Sequence, residues 1–436
     1  MIIYQVRPRI WGHGHFEDWG AKEFAYLKTL CVDAVWFTGV IRHSTGKDYV
    51  KGDPGSPYSI EDYHDVNPYL AKDPEKRMQD FERLVSRTHK AGLKLFIDFV
   101  PNHVSPDCND VPKCGWCDYD WTDTRKIDYS RREAWDAMLE IALFWAGKGV
   151  DGFRCDMIEM VPPEFLKWLV AEVRKRYPKF IFIGEVYDRG NYRRYVDDVK
   201  FDLLYDKSGL YDTLRAVICQ GASARGITRN WQFLQDMQPR MLNFLENHDE
   251  QRFASRWFAG DASKAFPALA VGALFNGASF MLYAGQEVGA DASEGAEGRT
   301  SIFNWTEPAE IKMLCRYIRT GKGLAAGNMK LLCRYRELLS LLSDPVFSAG
   351  FNYDLCWCNS ILHGFDPERH FAFLRYRRPP RKRKAEAVLV VCNFSGEPAS
   401  MKINLPEDLR AAKELGWLPP RVEVSVPAWD YIPVHL

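Results

Sequence analysis

Two acidic residues follow neighbouring apolar runs of the sequence and could act together on one bond. Asp156 ends the segment 152–156, and Glu185 follows the run 180–184. Cleavage of a glycosidic bond with retention needs one carboxylate to attack the anomeric carbon and a second, protonated carboxyl group to donate to the leaving oxygen. Arg154 would keep Asp156 ionised through a charge-assisted hydrogen bond. Glu185 must keep its proton, which requires a pKa raised by burial and by neighbouring carboxylates.

Two further apolar runs carry polar residues near their ends. The runs are 93–100 and 241–245, and the polar residues in or after them are Asp98, Asn102, His103, Glu246, Asn247, His248 and Asp249. A single acid at the end of a strand often only caps a loop or forms a salt bridge. Four runs that end in complementary groups indicate one shared site, in which acids, histidines and an arginine lie together.

The apolar runs alternate with amphipathic helical stretches such as 75–91 and 131–147, which is the pattern of βα units around a parallel sheet. Eight strands are predicted, at residues 2–6, 33–37, 93–98, 150–154, 180–184, 201–205, 241–245 and 279–283. Eight such units predict a closed (β/α)8 TIM barrel of the α/β class. Functional groups in this fold collect at the carboxyl ends of the strands, so the barrel would bring the four polar run ends to one mouth.

Three regions are predicted along the chain. Residues 1–103 and 131–344 would form the catalytic barrel, and 104–130, rich in Cys, Pro, Asp and Trp, a small inserted domain after the third strand. In 345–436 the pattern changes to alternating strands, which predict a C-terminal antiparallel β-sandwich. The basic stretch Arg375–Lys384 falls between two of these strands; it could bind a polyanion, but the pattern favours a solvated hairpin tip.

The composition points to a neutral partner. Lys+Arg and Asp+Glu both number 58 among 436 residues, so the net charge is zero and no global field would recruit nucleic acid or an anionic membrane. The 14 Trp and 20 Tyr residues suit a sugar, whose C–H faces stack on rings. No run reaches membrane-spanning length. The first residues resemble a strand and not a signal peptide, which predicts a cytoplasmic protein.

The eleven cysteines are an odd number and are scattered through predicted core strands. This distribution favours reduced thiols over a disulfide framework. Cys108, Cys114 and Cys117 in the insertion could bind zinc, but no fourth ligand is evident in the sequence. We therefore expect no metal among the site residues.

Four segments resemble, in order and spacing, the four sequence regions of the α-amylase family, glycoside hydrolase family 13. They are DFVPNH (98–103), GFRCD (152–156), GEV (184–186) and ENHD (246–249). Two further segments extend the resemblance: 33–40 with GSPYSIEDY (55–63) is similar to the family's second strand and its loop, and MLYAGQE (281–287) to its eighth strand. The resemblance covers about residues 1–340, and the family places its C-terminal domain beyond them.

Carried over by position, the resemblance implies a role for each residue of the site. Three carboxylates would be catalytic: Asp156 as nucleophile, Glu185 as acid and base, and Asp249 as the group that orients the sugar hydroxyls. The implied substrate contacts are Tyr58 as a stacking platform, His103 and His248 as hydrogen-bond donors, and Arg154 as the partner of the nucleophile. Asp98 would be structural, bracing Arg154 or its loop.

The sequence departs from the family at the position of a structural calcium ion. Four residues after the nucleophile the family often carries a histidine whose backbone helps to hold calcium; here that residue is Met160, preceded by Glu159 where lysine is common. Asn102 matches a calcium ligand of many relatives, but the insertion 104–130 is shorter than the family's usual second domain. Because calcium takes six to eight oxygen ligands, we expect no structural calcium and no required cofactor, although calcium remains possible.

The motifs predict a retaining glycoside hydrolase that cleaves α-glucosidic bonds of α-glucans or malto-oligosaccharides. A 4-α-glucanotransferase would use the same carboxylates and pass the glycosyl group to a sugar instead of water, and the sequence leaves this alternative open. A third alternative is a barrel kept only as a binding subunit, since a fold alone does not prove activity. Such a subunit typically lacks one or more of the carboxylates, whereas Asp156, Glu185 and Asp249 are all present. The oligomeric state is left open.

Overall fold

In the computed structural model, which describes residues 1–292, 296–306, 308–380, 382 and 384–436, eight parallel strands close into a barrel. They are β1 (Ile2–Val6), β2 (Ala34–Phe37), β3 (Lys94–Phe99), β4 (Gly152–Cys155), β5 (Ile181–Gly184), β6 (Leu203–Tyr205), β7 (Met241–Phe244) and β8 (Ser279–Tyr283). Neighbouring strands pair in chain order, and β8 pairs with β1 to close the barrel. Each strand overlaps the apolar run that predicted it, so the predicted (β/α)8 TIM barrel is confirmed.

Helices follow the strands and pack around them. They are α1 (Ala21–Lys28), α2 (Arg77–Lys90), α3 (Arg132–Gly147), α4 (Pro163–Arg176), α5 (Asp212–Gln220), α6 (Arg225–Leu234), α7 (Phe266–Leu274), α8 (Ala309–Thr320) and α9 (Ala326–Ser340). In α2, Phe81, Leu84, Val85 and Thr88 are spaced to lie on one helical face, and all four are buried. In contrast, α7 is buried along its whole length. Among the described residues, no helix is both long and apolar enough to cross a membrane.

The C-terminal region contains six further strands and two short helices. The strands are β9 (Phe351–Asp354), β10 (His370–Arg377), β11 (Glu386–Asn393), β12 (Ala399–Asn404), β13 (Arg421–Val426) and β14 (Asp430–His435), and the helices are α10 (Pro345–Ser348) and α11 (Glu407–Ala411). Strands β9, β10, β11 and β14 form one antiparallel sheet in that order, and β12 pairs with β13. The antiparallel C-terminal region predicted from the sequence is confirmed. Its sheet packs against α7, which explains why that helix is apolar on every side.

The register of neighbouring strands decides which side chains meet at the mouth of the barrel. Cys155 of β4 pairs with Gly184 of β5. Asp156 and Glu185 directly follow this pair, so the two acids leave the barrel side by side at its carboxyl edge. Because side chains alternate along a strand, Arg154 and Asp156 belong to the same face.

Two short hairpins follow β2 and β3, and their strands are Ile41–His43 with Ile60–Val66 and His103–Val104 with Arg125–Lys126. The second hairpin joins the two ends of the inserted segment 104–130. Its register places His103 directly opposite Lys126. The insertion is therefore attached to the barrel next to a predicted site residue.

The prediction of a solvated tip for the basic stretch 375–384 is wrong for Arg375, which is buried in β10. Its guanidinium donates to the backbone oxygens of Phe275 at 2.9 Å, Phe347 at 2.6 Å and Gly350 at 2.9 Å. Burial lowers the pKa of Arg375 to about 10, which leaves the group charged at neutral pH. Phe275 directly follows α7, so Arg375 ties this helix to the C-terminal sheet. Arg381 and Arg383 of the stretch lie outside the described residues.

Replacing Arg375 by Met should lower the free energy of unfolding by about 2–4 kcal/mol, because three backbone carbonyl groups lose their donor. Arg378→Met is the control, since Arg378 is exposed and its replacement should change the free energy by less than about 0.5 kcal/mol. Denaturant unfolding followed by circular dichroism measures both variants. Equal stability of the two would contradict this role of Arg375.

Candidate active site

A cavity of about 310 Å³ opens at the carboxyl ends of the barrel strands. Five of the residues singled out from the sequence line it: Tyr58, His103, Asp156, Glu185 and Asp249. The other two are Arg154 and His248, which are buried and contact the lining residues from behind. The structure therefore brings all seven residues into one cluster.

The Arg154 guanidinium is the centre of this cluster. One terminal nitrogen donates to Asp156 Oδ1 at 2.6 Å, and the other lies 2.7 Å from Glu185 Oε1. Two more carboxylates are close, that of Asp98 at 3.8 Å and that of Asp249 at 4.0 Å. Because the Arg154 side chain is only 1% exposed, water screens these attractions weakly.

Three aromatic rings enclose the guanidinium and hold it in place. Its central carbon lies 5.5 Å from the ring centres of Trp36, Tyr58 and Tyr205, a distance at which ring faces attract a cation. The hydroxyl of Tyr205 also accepts from Arg154 Nε at 3.3 Å. Burial by itself lowers the pKa of Arg154, but Glu185 and other anionic neighbours raise it well above its ordinary value. The guanidinium therefore stays charged.

The carboxyl groups of the cluster compete for this single cation. Burial raises the pKa of Asp156 and of Glu185, and Arg154 acts against the rise in both. The charge of Asp156 raises the pKa of Glu185 further, so ionisation of one group opposes ionisation of the other and the pair favours one charge and one proton. Burial also raises the pKa of Asp98, to about 7. This division can supply a nucleophilic carboxylate and a proton donor to one bond.

Two residues that the sequence did not single out hold Glu185. The backbone N–H of Met157 donates to Oε2 at 2.7 Å, and the hydroxyl of Tyr187 donates to Oε1 at 2.9 Å. Met157 has a left-handed backbone with φ 44°, a conformation uncommon for residues with a side chain and frequent at functional sites. Both residues are sequence neighbours of a predicted catalytic acid, but their residue types alone gave no signal of this role.

A chain of hydrogen bonds holds His248 behind Asp249. Gln5 Nε2 lies 2.7 Å from Nδ1 of His248, and because an amide nitrogen only donates, Nδ1 accepts and Nε2 carries the proton. That Nε2 contacts the hydroxyl of Tyr58 and lies 3.3 Å from Asp249 Oδ2. Tyr58 donates to Asp98 Oδ1 at 3.3 Å and stacks on the His248 ring. Gln5 is part of β1, and no motif of the sequence pointed to it.

The inserted segment supplies one wall of the cavity. Trp121, Asp123 and other residues of the segment line it, and Trp121 packs edge-on against His103 with ring centres 5.5 Å apart. Lys51 also lines the cavity and lies 3.5 Å from Asp123. Burial lowers the pKa of His103 to about 4, so its ring is neutral at ordinary pH. These lining residues of the insertion belong to no motif and were missed in the sequence.

The residues at the position for which the family resemblance implies calcium do not fit a calcium ion. Asn102 Oδ1 lies 3.0 Å and the backbone oxygen of Met160 3.2 Å from the ammonium of Lys126, and the carboxylate of Asp118 lies 3.3 Å from it. An ammonium group thus already stands between the oxygens. The three residues also fall short of the six to eight oxygen ligands that calcium takes.

The cysteines of the insertion, Cys108, Cys114 and Cys117, are thiols. Within the part of the chain that the structure describes, the one His, Cys, Asp or Glu group with the spacing of metal ligands is Asp62, His64 and Asp110. Asp110 there accepts a backbone N–H at 2.6 Å, and Asp62 accepts another at 2.9 Å. The cysteines are not part of this group.

Two comparisons bear on the fold and the family. A family model described as "Alpha amylase, catalytic domain" matches residues 21–114 and 116–320, which is more than half of the chain. Among solved structures, a noncanonic maltogenic alpha-amylase from Thermotoga neapolitana superimposes with a TM-score of 0.71 at 23% sequence identity, over 100% of this chain and 96% of that one. The second match shows a shared fold.

Curated relatives match parts of the chain. An alpha-1,4-glucan:maltose-1-phosphate maltosyltransferase from Cereibacter sphaeroides is 29% identical over an aligned length of 228, and the alignment covers 43% of this chain and 32% of that protein. Alpha-amylase 3 from Dictyoglomus thermophilum is 24% identical over an aligned length of 358, and the alignment covers 69% of this chain and 66% of that protein. The chain therefore spans about a third of the length of the maltosyltransferase that it matches.

Replacing Arg154 by Met should destabilise the protein more at about pH 8 than at about pH 5. The folded-state pKa of Asp98 is raised to about 7, and loss of the cation raises the pKa of the buried carboxyl groups further. A raised folded-state pKa stabilises the fold at low pH, and this stabilisation is lost as the pH rises through that value. The expected loss is about 3–5 kcal/mol at the higher pH and less at the lower pH.

Melting temperatures across this pH range measure the effect. Arg174→Met is the matched control, because Arg174 forms a partly exposed ion pair with Asp202 whose loss should depend little on pH. A loss of stability in Arg154→Met that is the same at both pH values would contradict the crowding of carboxyl groups around this cation.

Proposed function

The chain belongs to the α-amylase family, as its motifs predicted, and we propose that it is a retaining glycoside hydrolase that cleaves α-glucosidic bonds of α-glucans or malto-oligosaccharides. One observation carries the proposal: a single guanidinium contacts the carboxyl groups of both Asp156 and Glu185 beside a cavity of about 310 Å³. Pockets for small ligands begin at about this size. The neutral net charge of the chain suits an uncharged glycan.

The two acids divide the reaction into two displacements. In the first, Asp156 attacks the anomeric carbon while Glu185 gives its proton to the glycosidic oxygen, which leaves as a hydroxyl group. In the second, the anionic Glu185 takes a proton from water, and the water oxygen displaces Asp156 from the anomeric carbon. One water is consumed, and both carboxyl groups return to their starting states.

Arg154 suits both displacements because the total charge of the two acids stays constant. At the start the negative charge lies on Asp156, and in the glycosyl-enzyme it lies on Glu185, since Asp156 has become a neutral ester. The guanidinium contacts these groups at 2.6 Å and 2.7 Å through different nitrogens. The negative charge can therefore pass from the carboxylate that faces one nitrogen of the guanidinium to the carboxylate that faces the other nitrogen. The site need not reorganise during this transfer.

The remaining lining residues would hold the sugar. We assign to Asp249 the binding of the sugar hydroxyl groups. Its side chain is 34% exposed, whereas the side chains of Asp156 and Glu185 are 9% and 5% exposed. Tyr58 offers its ring to the sugar, and His103 offers a hydrogen-bond donor at the cavity wall. His248 lies behind these lining residues, and its Nε2 contacts Tyr58 and lies 3.3 Å from Asp249, so it would hold both side chains in position for the sugar.

Transfer to a sugar is a second candidate, as in a 4-α-glucanotransferase. The observation that favours it is the 29% identity to a protein named as a maltosyltransferase. Transfer uses the same covalent intermediate, and only the acceptor differs. Chromatography of the products from malto-oligosaccharides separates the two candidates, because only transfer yields chains longer than the starting sugar. A purely binding subunit is disfavoured, since three carboxylates line one cavity.

Asp156→Asn should lower turnover of malto-oligosaccharides by about 10⁴-fold or more, because the amide keeps the shape of the side chain but is a poor nucleophile. Release of reducing ends measures turnover, and circular dichroism verifies the fold. Asp136→Asn is the control: Asp136 lies exposed on α3 in an ion pair with Arg132, and the variant should keep wild-type turnover. Near-normal turnover of Asp156→Asn would reject Asp156 as the nucleophile.

A further inference from the structure

An ammonium group lies where three segments of the chain meet beside the cavity. Lys126 Nζ is 3.0 Å from Asn102 Oδ1, 3.2 Å from the backbone oxygen of Met160 and 3.3 Å from each carboxylate oxygen of Asp118. The ring of Trp116 lies 5.6 Å from the same nitrogen. The side chains of Lys126 and Asp118 are 18% and 7% exposed, so this contact is largely removed from water.

We propose that Lys126 takes the place of a metal ion in joining these segments, and that through Asn102 it determines which nitrogen of His103 carries the proton. Lys126 is then a positioning residue. His103 lines the cavity, and Lys126 acts on it from behind. That His103 donates a hydrogen bond to the sugar rests on the proposed function. The position of the proton on the His103 ring does not depend on that function.

Coordination favours the ammonium over a divalent cation at this point. An ammonium group has three N–H donors, and here three residues supply the acceptors. Calcium takes six to eight oxygens at about 2.3–2.6 Å. A calcium ion would have to displace the ammonium, and Asp118 offers only one negative charge for it. The oxygens are therefore satisfied by the chain itself.

The orientation of the Asn102 amide determines which ring nitrogen of His103 accepts a hydrogen bond. Because an ammonium only donates, it fixes the oxygen of the amide toward Lys126. The amide nitrogen is then left to donate to Asp118 Oδ2 at 2.7 Å and to Nδ1 of His103 at 3.1 Å. A neutral imidazole carries one proton, and with Nδ1 accepting, that proton lies on Nε2. His103 thus presents an N–H donor from Nε2.

The same ammonium also connects the nucleophile's loop to the insertion. Lys126 lies opposite His103 in the register of the short hairpin. Asn102 therefore connects the two side chains through one hydrogen bond to each. Met160 lies four residues after Asp156, and its backbone oxygen accepts from the same nitrogen. Loss of the ammonium should therefore loosen both the insertion and the segment that follows the nucleophile.

The test compares Lys126→Met with Lys113→Met. Methionine keeps the length of the side chain but removes the charge and the donors. Lys113 is the matched control, because it lies in the same insertion and donates to the backbone oxygen of Cys108. Three quantities are measured: the ¹⁵N shifts of His103 at neutral pH, the melting temperature with EDTA or with added calcium chloride, and kcat/KM on malto-oligosaccharides.

In the wild type we expect a protonated Nε2 on His103 and a melting temperature that neither EDTA nor calcium changes. In Lys126→Met the Asn102 amide loses the donor that faces its oxygen and is held by Asp118 alone, so part of the His103 population should become protonated on Nδ1, and kcat/KM should fall by about 10–100-fold. In Lys113→Met the His103 shifts and kcat/KM should stay as in the wild type. Lys126→Arg keeps a cation and its donors and should retain the protonated Nε2.

Three results would overturn the proposal. In the wild type, these are a His103 that is protonated on Nδ1 or a melting temperature that calcium raises. In Lys126→Met, it is a loss of stability with unchanged His103 shifts and unchanged kcat/KM. If Lys126→Met does not fold, the wild-type shifts and those of Lys126→Arg still decide the matter. The NMR and melting readouts need no substrate. An inactive protein with the expected tautomer would therefore reject the proposed function and leave this inference standing.

Discussion

A single buried guanidinium faces four carboxyl groups, and the rest of the site is arranged around that imbalance. The contacts of Arg154 with Asp156 and Glu185 are short, and those with Asp98 and Asp249 are longer. One cation cannot compensate four negative charges of which three are buried, so some of these groups must keep their protons. A proton held close to an ionised acid is the condition for nucleophilic attack and proton donation at one bond. The charge imbalance thus favours the pair of one ionised and one protonated acid on which the proposed reaction depends.

The barrel produces this arrangement through strand register and close packing. Arg154 of β4 and Asp156, which directly follows this strand, lie on the same face, and the pairing of Cys155 with Gly184 brings Glu185 beside them. Gly184 permits close packing here, because a Cβ at this position would lie 2.6 Å from a side-chain carbon of Ile158 and 2.9 Å from one of Leu204, and these neighbours would have to shift. The strands are buried and their mutual positions are fixed, so the distances between the acids do not depend on flexible loops.

Sequence patterns predicted the barrel and the acids, because both depend on local order along the chain. Buried parallel strands appear as apolar runs, and a barrel places the residues after those runs at one mouth. Contacts made through tertiary structure had no such signal. Gln5 reaches His248 from β1, and Lys126 acts through a cluster of oxygens from distant segments. Tyr187 is a sequence neighbour of Glu185, but its residue type gave no signal of this contact. Arg375 was misjudged because its charge suggested solvation, whereas its register in β10 buries it against three backbone carbonyl groups.

The most direct test of the central claim is the stereochemistry of the first product. If Arg154 holds a nucleophilic Asp156 beside a protonated Glu185, hydrolysis passes through a covalent glycosyl-enzyme and the anomeric configuration is kept. Proton NMR of an α-linked malto-oligosaccharide mixed with a large amount of protein should then show the α-anomer of the new reducing end first, with the β-anomer appearing only by slow mutarotation. Initial release of the β-anomer would show that water attacks directly, and it would contradict the account.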